Sequence, residues 1–321
     1  MCICVNKRTA LCAGCYTYNM INRRTLGGIT WIDIESPTQH EIRPLLEEFR
    51  ISAPVAEELL LPTVRPRMEM HPHFIYVILH FPALRHAHKE REQELDFVVG
   101  KDFIITARYD TIDSLHKFSK VFEVNSVLEA GFETSHGGHI FYFMLKKMYK
   151  AVEHEISAVH DALLMIEKHV FDGQEREMVT AISRAGRDIL DLRQSIEPHR
   201  DVLRDVESQA PQIFGADFAP YLKNLSHEYY RVHNHIMSHM ESMHELRETN
   251  NSLLTTKQNE IIKVLTVMAF ITFPLSVIVG LFGMNLHSPL SNSSYGFEIV
   301  LAIMAILTFL MFTYFKRKRW L

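Results

Sequence analysis

Two stretches near the end of the chain interrupt an otherwise mixed pattern of apolar and polar positions. Val264–Phe282 carries no charged residue, and neither does Ile299–Phe315. A membrane-spanning helix needs about 20 predominantly apolar residues. The first run is long enough; the second reaches that length when Tyr295, Gly296 and Phe297 sit in the interface. Two such runs in tandem predict two spans rather than one buried core helix. Lys316-Arg317-Lys318-Arg319 follows the second, and an excess of Lys and Arg marks the cytoplasmic side. Both termini and the large region before Val264 are therefore expected in the cytoplasm, with the chain in the plasma membrane. Only residues around 286–297 would face outward. Within the first span, Thr266, Ala269, Phe273 and Ser276 recur at steps of three and four and share a face. Small and hydroxyl residues on one face suit either close helix packing or a pore lining, and the pattern alone leaves both open.

The preceding residues read as α+β. Ile29–Ile34 is a strand candidate, and Ser36-Pro37-Thr38-Gln39 offers an N-cap, a proline at the first helical position and a capping-box partner. The helix EIRPLLEEF follows, then a second from about Pro54 to Leu61. Phe74–Phe81 reads as a buried strand, and Leu95–Val99 with Phe103–Ala107 as a hairpin about Gly100-Lys101-Asp102. Gly137-Gly138 separates this region from helices over 140–170 and 174–207, the second containing Pro198, where it should kink or break. After a break at 210–215, positions 222, 225, 229, 232, 236, 239, 243, 246, 250 and 253 alternate in steps of three and four. All but His239 and Asn250 are apolar or aromatic, a coiled-coil-like seam. No glycine or proline separates it from the first span, which predicts one helix from about Asp217 to Phe282, roughly 100 Å long. Such a helix must pack against partners, and a pore with one per subunit requires a ring of subunits.

Composition narrows the picture slightly. The chain has 321 residues and a net charge of −4, with no basic excess to suggest nucleic-acid binding. Its four cysteines, Cys2, Cys4, Cys12 and Cys15, lie at the N-terminus, where no apolar signal segment is found. They could close a tetrahedral Zn²⁺ site; a flexible, reduced tail over 1–28 is the expectation. His235 and His239 lie one turn apart on one helix face, a possible two-point metal clamp or a packed seam. No nucleophile motif or catalytic spacing suggests an enzyme.

The first span ends in Gly283-Met284-Asn285. Asn259-Glu260-x-x-Lys263-Val264-Leu265-Thr266 leads into it, Phe273-Pro274-Leu275 lies within it, and Lys318-Arg319-Trp320-Leu321 closes the chain. Upstream stand Glu57-Glu58, Arg65-Pro66-Arg67 and Leu192-Arg193-x-x-Ile196-x-Pro198-x-Arg200. In this order these segments resemble the CorA family of magnesium channels, from about Ile29 to Leu321. The resemblance implies a homopentameric funnel in the lipid bilayer: an α/β domain over 29–135, a helical stalk over 136–258, a pore-lining span over 259–285, an external loop over 286–297, an outer span over 298–315 and a basic tail over 316–321. It implies a selectivity filter at Gly283, Met284 and Asn285, and a pore face of Asn259, Ile262, Leu265, Thr266, Ala269, Phe273 and Ser276. Ile262, Leu265 and Phe273 would form a hydrophobic constriction that gates by dewetting. Mg²⁺ dehydrates reluctantly, and a ring of neutral amides can hold its water shell without adding fixed charge. Membrane potential would drive influx, about 2.3 kcal/mol per elementary charge per 100 mV. Cytosolic Mg²⁺ would close the channel by binding between subunits, at the positions of Glu58 and Glu248. One departure bears on the ion: the loop from Leu286 to Ser294 has no acidic residue where the family has a glutamate, and it carries His287, a better ligand for a borderline transition metal. A zinc or other transition-metal transporter on the same scaffold is therefore the alternative, followed by a membrane-tethered coiled-coil sensor.

Overall fold

The computed structural model describes residues 21–82, 92–109, 135–284, 295–318 and 320. The cysteine cluster, Asn285 and His287 lie outside the described residues. The chain divides into two compact units: residues up to Ile166 with Ala181–His244, and Glu167–Thr180 with Glu245–Leu321.

The first unit is built on a six-stranded sheet of order β1-β2-β6-β5-β4-β3. Its strands are β1 (Ile21–Leu26), β2 (Ile29–Glu35), β3 (Arg67–Met70), β4 (Phe74–Pro82), β5 (Glu92–Gly100) and β6 (Phe103–Arg108). All neighbours are antiparallel except β2 and β6. β4 is buried along its whole length, as its continuous apolar run predicts. The expected hairpin about Gly100 is β5–β6. Part of the N-terminal tail assignment is overturned: residues 21–26 form β1. Gly27 and Gly28, with φ of 56° and 83°, supply the two positive-φ positions that a tight hairpin demands. β3 was also unread. Both missed strands lie at the sheet's edges.

One sheet face packs on α1 (Gln39–Phe49) and α2 (Ala53–Glu58) through Ile32, Ile34, Ile42, Leu45, Val55, Leu59, Tyr76, Ile78 and Ile105. The N-cap of α1 is Thr38, not Ser36. Glu41 accepts from the Thr38 backbone N–H at 3.0 Å and from its hydroxyl at 2.6 Å. Ser36 is instead held at the end of β2, its N–H donating to the Arg108 carbonyl at 2.7 Å and its φ at 50°. The other sheet face meets helices through Phe97–Phe141 and Phe81–Tyr149 ring contacts, with centroids 5.1 and 6.0 Å apart. At the start of α3 (Gly137–Phe171), a Cβ on Gly137 would lie 2.4 Å from the Gly100 carbonyl oxygen. Only glycine permits that approach.

Pro198 does break the next helix, into α4 (Glu175–Ile196) and α5 (His199–Gln209). A short α6 (Pro211–Phe214) and a 3₁₀ turn lead into α7 (Ala219–Gly283), the unbroken long helix expected. Its predicted seam is filled from within the same chain. In the first unit Leu222, Leu225, Tyr229, Val232, Ile236 and Met243 are buried. Across α3, Asn224 bonds Tyr142 at 3.1 Å and Arg231 pairs with Glu153 at 2.6 Å. The seam therefore does not itself call for other subunits.

In the second unit, α3 turns into α4 at Gly173 (φ 90°). Lys257 on α7 donates to the Gly173 carbonyl at 3.0 Å and to Glu175 at 2.5 Å. Leu246 and Asn250 continue the buried seam, and α8 (Gly296–Arg317) forms the second apolar helix.

Candidate cation path and carboxylate network

The apolar windows of α7 and α8 are each only 6% buried, whereas a soluble core helix would be mostly covered. Their burial is one-sided. On α8, Gly296, Val300, Met304, Leu307, Thr308, Met311 and Phe315 are the covered or half-covered positions. On the apolar part of α7 they are Lys263, Thr266, Val267, Ile271, Pro274, Leu275 and Ile278. Val267 is 1% exposed, and Phe270 and Phe315 approach with ring centroids 6.3 Å apart. The opposite side of α7 is bare. Ile262 and Leu265 are each 58% exposed and Phe273 is 72% exposed; Asn259, Ala269 and Ser276 are exposed too. The expected pore face therefore points away from α8, with Thr266 at its margin. Hydroxyl protons on this helix are satisfied internally: Thr266 donates to the Ile262 carbonyl at 2.7 Å, and Ser276 to that of Thr272 at 3.0 Å. That leaves oxygen lone pairs turned outward. Pro274 has no N–H to bond the Phe270 carbonyl, so the helix has a free acceptor one turn before it. Gly283 ends the helix in open space and Met284 is exposed beyond it.

Glu58 and Glu248 fall in different units. Glu248 stands on an exposed face of α7. Glu58, at the end of α2, is ion-paired with Arg67, which also holds Glu69 at 2.8 Å. Burial works against the Arg67 charge, and the bonds to Glu69 and Glu58 more than restore it, so its pKa is raised. A cation binding Glu58 competes with that guanidinium for the carboxylate.

A buried polar network, unforeseen in the sequence, lies on the same face of the sheet. Its visible trace was the alternation Glu92-x-Glu94-x-Asp96, which puts three acids on one face of β5. His80, opposite on β4, lies 3.5 Å from Glu92 and 3.4 Å from Glu94. Burial alone would lower its pKa; the hydrogen bonds to the two carboxylates outweigh burial and raise it to about 9. Glu94 also accepts from the Thr63 backbone N–H at 2.7 Å. Asp96 is raised well above the carboxylate range by burial, then by the Glu94 charge, and accepts from Tyr76 at 3.0 Å and Tyr109 at 3.2 Å. The Tyr109 hydroxyl also reaches the Glu58 carbonyl at 3.4 Å. Next to His80, His199 is driven to about 4 by burial. It is neutral, so its Nε2–H donates to the His80 carbonyl at 2.8 Å and its Nδ1 accepts from Tyr149 at 2.9 Å.

Of the candidate histidines, His235 is exposed and His239 half-buried. His160 of α3, which the sequence did not single out, lies against His239 with ring centroids 5.1 Å apart. Among the described residues, no three histidine, cysteine or acidic side chains are placed so that together they could hold a metal ion.

Fold and site together define a two-span membrane protein with an α+β soluble region and an uncovered face on its first span. The chain matches the CorA-like Mg²⁺ transporter protein family over residues 27–317 and belongs to it. It is a membrane-embedded divalent-cation transporter of that family. It is similar to the cobalt/magnesium transport protein CorA of Thermotoga maritima, 23% identical over 91% of this chain and 83% of that one. The complete structure of the CorA magnesium transporter from Methanocaldococcus jannaschii superposes with a TM-score of 0.80 at 22% identity, covering 92% of each chain. The cytoplasmic domain of ZntB from Vibrio parahaemolyticus shares the fold more loosely, with a TM-score of 0.51 at 12% identity over 73% of this chain and 89% of that one.

Proposed function

We propose that five copies of this chain form a plasma-membrane channel, both termini cytoplasmic, that carries Mg²⁺, and Co²⁺ or Ni²⁺, into the cell down the membrane potential. The observation that carries the reading is the bare face of α7 opposite α8. With α8 outside, that face lines the pore, and Ile262, Leu265 and Phe273 make an apolar neck. Apolar necks gate by dewetting, and Phe273 presents the most exposed side chain of the three. Gly283, Met284 and Asn285 form the filter at the outer mouth, where amide oxygens hold the hydrated ion. Internal Mg²⁺ binds Glu58 and Glu248 of neighbouring copies and favours the closed state; neutralising paired carboxylates is the physical basis.

The test is ion flux into proteoliposomes at a fixed inside-negative potential, with Mg²⁺, Co²⁺, Ni²⁺ and Zn²⁺ compared for the native protein and Asn285→Ala. Mg²⁺ flux that the variant loses supports the proposal. The sequence of the outer loop, with His287 and no acid, motivates a second reading as a zinc transporter; Zn²⁺ flux without Mg²⁺ flux would select it. A folded protein that passes no ion would return the membrane-tethered sensor.

A further inference from the structure

Helices α3 and α7 lie side by side through the first unit. Near their starts, polar pairs bind them together: Asn224 to Tyr142, Lys146 to Glu228 at 3.8 Å, Arg231 to Glu153. Further along, the facing positions are imidazoles. His160 on α3 and His239 on α7 meet with ring centroids 5.1 Å apart and planes inclined at 35°. His239 occupies a position where the neighbouring seam residues are Ile236 and Met243, both buried. His235 stands one turn before it and is exposed. Arg193, the cation adjoining this stretch, is turned toward the Met240 sulfur at 3.8 Å and paired with Glu197 at 3.0 Å.

The spacing of the rings is informative. Two imidazoles bound to one tetrahedral metal, with metal–nitrogen bonds of about 2.0–2.1 Å, have their ring centroids about 5 Å apart. The pair already stands at that separation. Imidazole suits Zn²⁺, Co²⁺ and Ni²⁺, whereas Mg²⁺ prefers hard oxygen donors. Two histidines one helical turn apart on a single face are a competent metal pair in their own right.

We propose that His160 and His239, joined by His235 through rotation of its exposed side chain, form an interhelical clamp for a borderline transition cation that ties α3 to α7. Water fills the remaining positions, so the clamp is open and is filled or emptied with the cytosolic supply of that cation. It goes beyond the proposed Mg²⁺ path, shares no residue with it, and stands whichever ion the pore carries.

The test uses the full chain in detergent, with any affinity tag removed and Cys2, Cys4, Cys12 and Cys15 changed to serine to silence the thiolates. Ni²⁺ and Zn²⁺ are titrated calorimetrically against the protein and His160→Gln, His235→Gln and His239→Gln variants. One cation per chain is expected, with affinity at least tenfold weaker in His160→Gln and His239→Gln and reduced by a smaller factor in His235→Gln. Mg²⁺ should not compete. His160 is exposed, so its variant is expected to unfold at the native temperature without metal and to lose the rise in melting temperature that Ni²⁺ gives the native protein. X-ray absorption of the Co²⁺-loaded protein should count two or three imidazoles. Unchanged affinity in His160→Gln, equal competition by Mg²⁺, or a metal spectrum without imidazole would each overturn the proposal.

Discussion

Burial acts on His80 and His199 in the same direction, yet the two imidazoles end in opposite states. His199 finds only a carbonyl and a phenol, neither of which stabilises a proton enough, and sits at about 4. His80 finds Glu92 and Glu94 and sits at about 9. An imidazole in the unfolded chain titrates near about 6.5. From about pH 4 to 6.5 the unfolded chain takes up more protons at position 199, so stability rises with pH; His136, also held at about 4 by burial, His139 and Lys101, adds to this limb. For His80 the sign reverses. Its contribution is complete below about 6.5 and is lost as pH climbs through about 9. Urea midpoints of the full chain should therefore peak near neutrality, and His80→Gln should flatten the alkaline limb while leaving the acid limb in place. An unchanged alkaline limb would show that His80 carries no extra proton. Arg67 gives a second residue-scale prediction. Since its guanidinium occupies Glu58, Arg67→Gln should free the carboxylate, and half-inhibition by internal Mg²⁺ should move several-fold lower. A shift absent from Arg67→Gln and Glu58→Gln alike would remove Glu58 from sensing.

Elements were legible where burial imposed a period and illegible where it did not. β4 and β5 are covered on both faces and the α7 seam on one, so apolar spacing announced them. β1 (INRRTL) and β3 (RMEM) are edge strands with no strongly apolar face, held by backbone bonds to one neighbour each. Nothing in their side chains distinguishes them from loop. The cap of α1 was misplaced by two residues because Ser36 and Thr38 are equally good caps locally. The Ser36 N–H is used by Arg108, a partner 72 residues away that no local pattern reveals. The candidate site divides along the same line. That Thr266, Ala269, Phe273 and Ser276 share one face follows from helical period alone, whereas the Arg67–Glu58 pair and the His160–His239 contact depend on tertiary packing. Packing also makes the seam quantitative: Leu225 is fully buried, so Leu225→Ala should cost about 2–5 kcal/mol in chemical denaturation. The Lys257 contact is a different device. It bonds both the Gly173 carbonyl and the Glu175 carboxylate, at the turn that joins α3 to α4. Lys257→Met should lower the melting temperature more than Lys257→Met combined with Glu175→Gln, because the single change strands a covered carboxylate that the double change neutralises.

At the scale of the whole molecule, the two sides of α7 in the second unit have unequal needs. On one side Val267 is buried and Phe270 approaches Phe315 of α8. The face of Ile262, Leu265, Ala269, Phe273 and Ser276 has no cover in one chain. Lipid could solvate its apolar members, but lipid has no use for hydroxyls and an alanine set at helical spacing, while a water-filled pore or a neighbouring copy has. The two environments differ in chemistry that can be read directly. In a cysteine-free background, Ala269→Cys and Ser276→Cys should react with a water-soluble thiosulfonate in proteoliposomes, and the reaction should block cation flux. Met268→Cys and Ile306→Cys, on exposed positions outside that face, should stay unreactive, because a thiol in hydrocarbon remains protonated and the reagent does not enter. In detergent the same preparations should have the mass of five chains. Reactivity at 268 and 306 with silence at 269 and 276 would turn the helix around, placing the polar stripe against protein and the ion path elsewhere. Uniform silence with an intact flux would mean that the path does not follow α7.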